Sequence, residues 1–134
     1  PTKSSAASDV YKRQALAAIS ADPIVINDMK TAFLKRRDFI LTELSKIKGI
    51  KINKPQGAFY VFPDVSSFFN KSYKDYTIKN SDDLTMYILE SAKVALVTGN
   101  AFGSPNCVRI SYASSIKSLQ IAVRRIADSL NRLQ

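Results

Sequence analysis

At 134 residues, 46% of them hydrophobic, the chain has the length of one domain or of a piece of a larger protein, with enough apolar residues for a core. It contains no histidine and a single cysteine, Cys107, which excludes Ser-His-Asp and Cys-His catalysis, an internal disulfide framework and a transition-metal site of the usual ligands. The net charge of +9 is scattered over several segments and forms no basic patch interleaved with aromatics, so neither nucleic acid nor a membrane is an expected partner.

Residues 1–14, PTKSSAASDVYKRQ, are small and polar without periodicity and are expected to form a disordered or non-native leader. ALAAIS, residues 15–20, favours helix and reads as the end of one already under way, which hints at truncation. Asp22-Pro23 then marks a helix start, an N-cap side chain followed by proline at the first helical position. Met29, Phe33, Ile40, Leu44 and Ile47 recur at helical spacings with charged residues opposite, and Gly49 reads as the stop. Such a helix runs about 26 residues, or about 39 Å, long enough to bridge two domains.

A short strand is expected at IKIN (50–53), then a turn at Pro55-Gln56-Gly57. AFYVF (58–62) is apolar on both faces and predicts a central strand. Residues 66–80 read as a polar loop dotted with aromatics. Ser81 is the expected N-cap of a helix carrying Asp82 and Asp83 in its first turn and Leu84, Ile88 and Ser91 on one face. VALVT (94–98) predicts another strand and GNAFG (99–103) a glycine-bounded loop. In CVRISYA (107–113), Val108, Ile110 and Tyr112 alternate with Arg109 and Ser111, a strand with two unlike faces. Ser114 or Ser115 caps a last helix whose seam is Ile116, Leu119, Val123, Ile126, Leu130 and Leu133. The order is that of an α/β (α+β-like) unit, a short mixed sheet packed against helices.

Several motifs imitate catalytic ones. Ser114-Ser115-Ile116-Lys117 fits S-x-x-K, but no K-T-G accompanies it and these serines serve as a cap. GNAFG lacks the lysine and spacing of a phosphate loop. Adjacent helical residues point apart, so Asp82-Asp83 is explained by the helix dipole. Arg109 differs. Its planar fork can grip a carboxylate through two parallel hydrogen bonds. The other reading is an edge-strand charge facing water, which deters aggregation. Pattern alone leaves both open.

KPQGAFYVFPDVS (54–66), AKVALVTGNAFG (92–103) and VRISYASS (108–115) together resemble the C-terminal part of the class I/II, fold-type I, pyridoxal phosphate-dependent aminotransferases, nearest to prokaryotic-type aspartate aminotransferase. ALAAISADP (15–23) resembles the family's lead-in to its bridging helix. The resemblance implies that residues 15–22 are a remnant of the large cofactor-binding domain and that residues 23–134 form the bridging helix and the small C-terminal domain. It places the arginine that pairs with the substrate's α-carboxylate at Arg109, and Gly57 to Phe59 beside the substrate entrance. It implies amino-acid and 2-oxo-acid substrates and a homodimer. Pyridoxal 5'-phosphate would be bound by the missing large domain, with no catalytic, cofactor-binding or metal-binding residue in this chain. The chain alone is then expected to be inactive. Two features depart from the pattern. Thr98 stands where many members have proline, and LSKIK (44–48) only mimics the cofactor lysine motif, with Lys46 on the polar face of the long helix. The competing expectation is a stand-alone α/β binding or interaction domain. A cytoplasmic location is expected, since a lone thiol fits a reducing compartment.

Overall fold

The last helix carries the clearest instruction in the chain. In the computed structural model, which describes residues 3–134, it is α4 (Ile116–Leu130), started by Ser115, whose Oγ accepts from the Ser118 N–H at 3.1 Å. Leu119, Val123, Ile126 and Leu130 are buried along its seam, and Leu133 is buried just beyond its end. Ile116, the first of the predicted seam, is 37% exposed in the first turn.

The chain divides into two units, one up to Ala32 and one spanning Phe33–Gln134. The first contains α1 (Lys3–Ile19) and the start of α2 (Ile24–Ser45). Residues 3–14, for which disorder is expected, are therefore helical. The run from Lys3 to Ile19 has no glycine or proline, and its alanines, lysines and arginine favour helix. Residues 1 and 2 of the expected leader lie outside the described residues. Asp22 does cap α2, accepting from the Ile24 N–H at 2.9 Å.

In the second unit, α2 delivers Ile40 and Leu44 to the core, followed by Ile47 in the turns after its end. The helix is 22 residues long, shorter than expected, because tight turns replace its last coil before Gly49, which takes φ +100°. A Cβ there would come within 2.5 Å of Ser67 Oγ, a side chain that would have to move, and the backbone angle itself favours glycine.

The main sheet is three-stranded, in the order β1 (Tyr60–Val61), β5 (Val108–Ser111), β4 (Val97–Thr98). Tyr60 faces Ser111 and Val61 faces Ile110 on one side of β5, while Val97 faces Arg109 and Thr98 faces Val108 on the other. These ladders are antiparallel, which corrects the expectation of a mixed sheet. Residues 58–62 supply an edge strand rather than the central one. Ala58 sits at φ +63°, outside the extended region, so the ladder does not run back through it, and only Tyr60 and Val61 pair with β5. IKIN is reduced to a single bridge, Lys51 to Asp64. The expected loop 66–80 contains a 3-10 turn, Ser66–Phe68, and a hairpin of β2 (Ser72–Tyr73) and β3 (Tyr76–Thr77).

Helix α3 (Ser81–Ala92) is capped by Asn80, which accepts from the Asp83 N–H at 2.9 Å, and not by Ser81. Ser81 is 1% exposed and shares a 2.9 Å hydrogen bond with Thr98. The buried face of α3 adds Tyr87 to Leu84 and Ile88, and the Tyr87 hydroxyl donates to the Ser129 carbonyl of α4 at 2.8 Å. Ser91 stays outside this face and donates to the Tyr87 carbonyl.

Asp64 stitches the sheet margin, bridging Lys51 on one side and Cys107 on the other. Its Oδ1 accepts from Ser66 Oγ at 2.6 Å and from the Ser66 N–H at 2.8 Å. These bonds, the side-chain one first, hold its carboxyl below the ordinary value of 3.8, with help from the Lys51 charge and against partial burial. A carboxyl depressed on folding adds stability that is complete above its unfolded pKa and is lost as pH falls through the folded one. Asp64→Asn is therefore expected to lower stability at neutral pH and to flatten the loss of stability below about pH 4. Urea unfolding at several pH values checks this, and an unchanged acid limb in the variant would refute it.

Candidate functional site

Strand β5 sorts its side chains by alternation. Val108, Ile110 and Tyr112 are buried at 1%, 6% and 2% exposure, and Arg109 and Ser111 point to the other face. Arg109 is half-buried on the central strand, which removes the edge-strand explanation for its charge. Its guanidinium carbon lies 4.5 Å from the centre of the Phe102 ring and 5.4 Å from that of Tyr60. Among the described residues no carboxylate pairs with it and no hydrogen bond holds its side chain. A guanidinium held over ring faces and bound to no acceptor keeps N–H donors to spare. Those donors are the ones that grip a planar carboxylate in two-point fashion.

Phe102 comes from a 3-10 turn, Gly99–Phe102, that follows β4. Thr98 starts the turn by accepting from the Asn100 N–H at 3.2 Å. The Gly99 N–H donates to the Cys107 carbonyl at 2.8 Å, and the Ser104 N–H donates back to the Gly99 carbonyl at 2.9 Å. Tyr60 reaches the site from the opposite strand, where it pairs with Ser111. The lead-in to β1 is held by Tyr112, whose N–H donates to the Phe59 carbonyl at 2.8 Å and whose hydroxyl donates to the Ala58 carbonyl at 2.9 Å. Burial pushes the Tyr112 hydroxyl up from its ordinary pKa, so it remains a donor. The fold thus brings Tyr60 and Phe102 beside Arg109, while Ala58 and Phe59 are held at the Tyr112 end of the same strand, and sequence reasoning missed Tyr60 and Phe102. Their signal was faint: exposed aromatics, at 36% and 50%, on the face that carries Arg109.

The remaining candidates fall elsewhere. Lys46 lies in the turn just past the end of α2 and not on the helix as expected; it ion-pairs with Glu43 at 2.6 Å and lines a groove with Phe39, Gln120 and Arg124. Ser115 is occupied as the α4 cap, and Lys117 is exposed. Asp83 accepts from the Lys79 N–H while Asp82 accepts from the Asn100 side chain, so the two carboxylates serve different neighbours. Burial, with the nearby Asp64 charge, pushes the Cys107 thiol up, away from the reactive thiolate. Among the described residues no three His, Cys, Asp or Glu side chains gather as metal ligands, and no helix is long and apolar enough to cross a membrane.

A family model, aminotransferase class I and II, matches residues 3–126, a span that includes most of the expected leader. A bifunctional aspartate aminotransferase and glutamate/aspartate-prephenate aminotransferase of Petunia hybrida is 42% identical over 94% of this chain and 27% of its own length. An aspartate aminotransferase of Pinus pinaster is 41% identical over 94% of this chain and 26% of its own. Among solved structures, the aspartate aminotransferase from Rhizobium meliloti superposes with a TM-score of 0.85 at 35% identity, over 90% of this chain and 30% of that one. The chain therefore spans about a quarter of the length of the curated relatives it matches, and the match falls on their C-terminal part.

Proposed function

The chain belongs to the class I and II aminotransferase family, and from that premise we propose that it serves a pyridoxal phosphate-dependent, aspartate aminotransferase-like transaminase by supplying Arg109 as the anchor for the substrate's α-carboxylate. The observation that carries the reading is a half-buried guanidinium lying over two aromatic rings, with no ion-pair partner among the described residues. Such a group has its desolvation partly met by the rings and its donor fork available for a carboxylate from outside. Amino acids and 2-oxo acids both carry that carboxylate, so one arginine serves both halves of an amino-group transfer. Docking by two parallel hydrogen bonds fixes the orientation of the adjoining Cα, the kind of positioning that lowers a barrier by removing rotational freedom beforehand. The relatives' names point to aspartate among the amino acids.

The residues of this chain do not themselves fit the cofactor. Lys46, the lysine of the mimic motif, is committed to Glu43 in the open. The cofactor, a large domain for which residues 15–22 are a remnant, and a homodimeric assembly belong to the whole protein in this reading. Pyridoxal phosphate mixed with this chain is accordingly expected to elute separately from it on gel filtration, with the absorbance of the free cofactor. A stoichiometric band travelling with the protein would overturn that assignment. The anchor role is tested by Arg109→Leu in the whole protein, with amino-acid and oxo-acid substrates assayed separately.

A further inference from the structure

Phe102 is half exposed and yet firmly placed. Its ring meets Phe62 edge-on at 6.1 Å and 85° and lies 4.5 Å below the Arg109 guanidinium. The turn that carries it is fastened at two places. The Gly99 N–H ties it to the strand of Arg109 through the Cys107 carbonyl. The Thr98 hydroxyl joins buried Ser81, and the Asn100 amide donates to Asp82 at 3.3 Å, which ties it to the first turn of α3. Ring and guanidinium therefore ride on one frame. A free arginine side chain carries about 2 kcal/mol of rotamer entropy, and among the described residues this one has no ion-pair or side-chain hydrogen-bond partner and only the more distant Tyr60 as a second ring.

We propose that Phe102 is a positioning residue for the carboxylate anchor: its ring fixes the plane of the Arg109 guanidinium so that the N–H fork faces the incoming carboxylate. Phe102 acts through Arg109 and does not touch the substrate. The inference rests on Arg109 being the anchor, and the two are separable by experiment.

In the whole protein, Phe102→Leu keeps an apolar side chain but removes the π face. It is expected to raise KM for amino-acid and oxo-acid substrates together by about tenfold, the size of a partly desolvated cation–π contact, with kcat changed much less. Phe102→Tyr, which keeps the ring, restores both KM values. In the present chain, the Arg109 Nε–H resonance is expected to be shifted upfield by the ring and to lose that shift in Phe102→Leu. An unshifted resonance in the unaltered chain overturns the proposal, and so does a Phe102→Leu enzyme with unchanged KM values while Arg109→Leu is impaired. A loss that tyrosine does not restore also overturns it, because it assigns Phe102 a packing role alone. If Arg109→Leu itself is harmless, the anchor reading falls and the positioning role falls with it, whereas the resonance shift still reports whether the stack exists.

Discussion

Arg109→Leu in the whole protein is expected to lower kcat/KM for the amino-acid and the 2-oxo-acid substrate alike, while the cofactor stays bound. Truncating one side of a buried, hydrogen-bonded charge pair costs about 2–5 kcal/mol, which is roughly 30- to 4,000-fold at one decade per 1.4 kcal/mol. The parallel loss is the diagnostic part. A residue that packs the site would change the two substrates according to their side chains, whereas an α-carboxylate anchor sees the same group in both. Arg109→Lys keeps the charge and loses the planar fork, so it is expected to fall between the parent and the leucine variant. Equal kcat/KM in parent and Arg109→Leu would remove the anchor role. Folding is not at stake to the same degree, because Arg109 makes no ion pair among the described residues and its strand is held by Val108, Ile110 and Tyr112.

Much of this arrangement was legible because it depends on periodicity. A period of two told which residues of β5 turn inward, and helical spacing told the same for α4, since each pattern needs only local geometry. What escaped depends on contacts between distant segments. Whether residues 58–62 lie at the centre or the edge of a sheet is decided by which strands pair, and the positive φ at Ala58 takes that residue out of the strand. The cap of α3 moved by one residue because Ser81 is drawn inward to Thr98, leaving Asn80 to meet the free N–H. At the candidate site, alternation placed Arg109 on its face but could not choose between water and an anion. The rings that bear on that choice come from one residue seven positions earlier, across a folded turn, and another on a different strand. Family resemblance pointed to the arginine. Only the three-dimensional arrangement points to Phe102.

The same turn makes Gly99 the most consequential small residue of the chain. Gly99→Ala is expected to destabilise it by about 3 kcal/mol, combining an overpacked contact with weakened backbone hydrogen bonds. A Cβ at Gly99 would press into the carbonyl oxygens of Ser104 and Cys107 and lie 2.8 Å from the Cys107 carbonyl carbon. These are backbone atoms and cannot rotate aside. Relief requires opening the 99–107 segment, which lengthens the bonds from the Gly99 N–H to Cys107 and from the Ser104 N–H to Gly99. At about 3–5 °C per kcal/mol for a chain of this size, the thermal midpoint falls by roughly 10 °C. Gly57→Ala is the matched control, because nothing lies within 4 Å of a Cβ there, and it is expected to stay within about 0.5 kcal/mol of the parent. Opening the segment also withdraws Phe102 from beneath Arg109, so the upfield shift of the Arg109 Nε–H should vanish in Gly99→Ala while Gly57→Ala retains it. Equal midpoints for the two variants would mean that the close approach at Gly99 carries no cost, and the rigid frame assigned to Phe102 would lose its foundation.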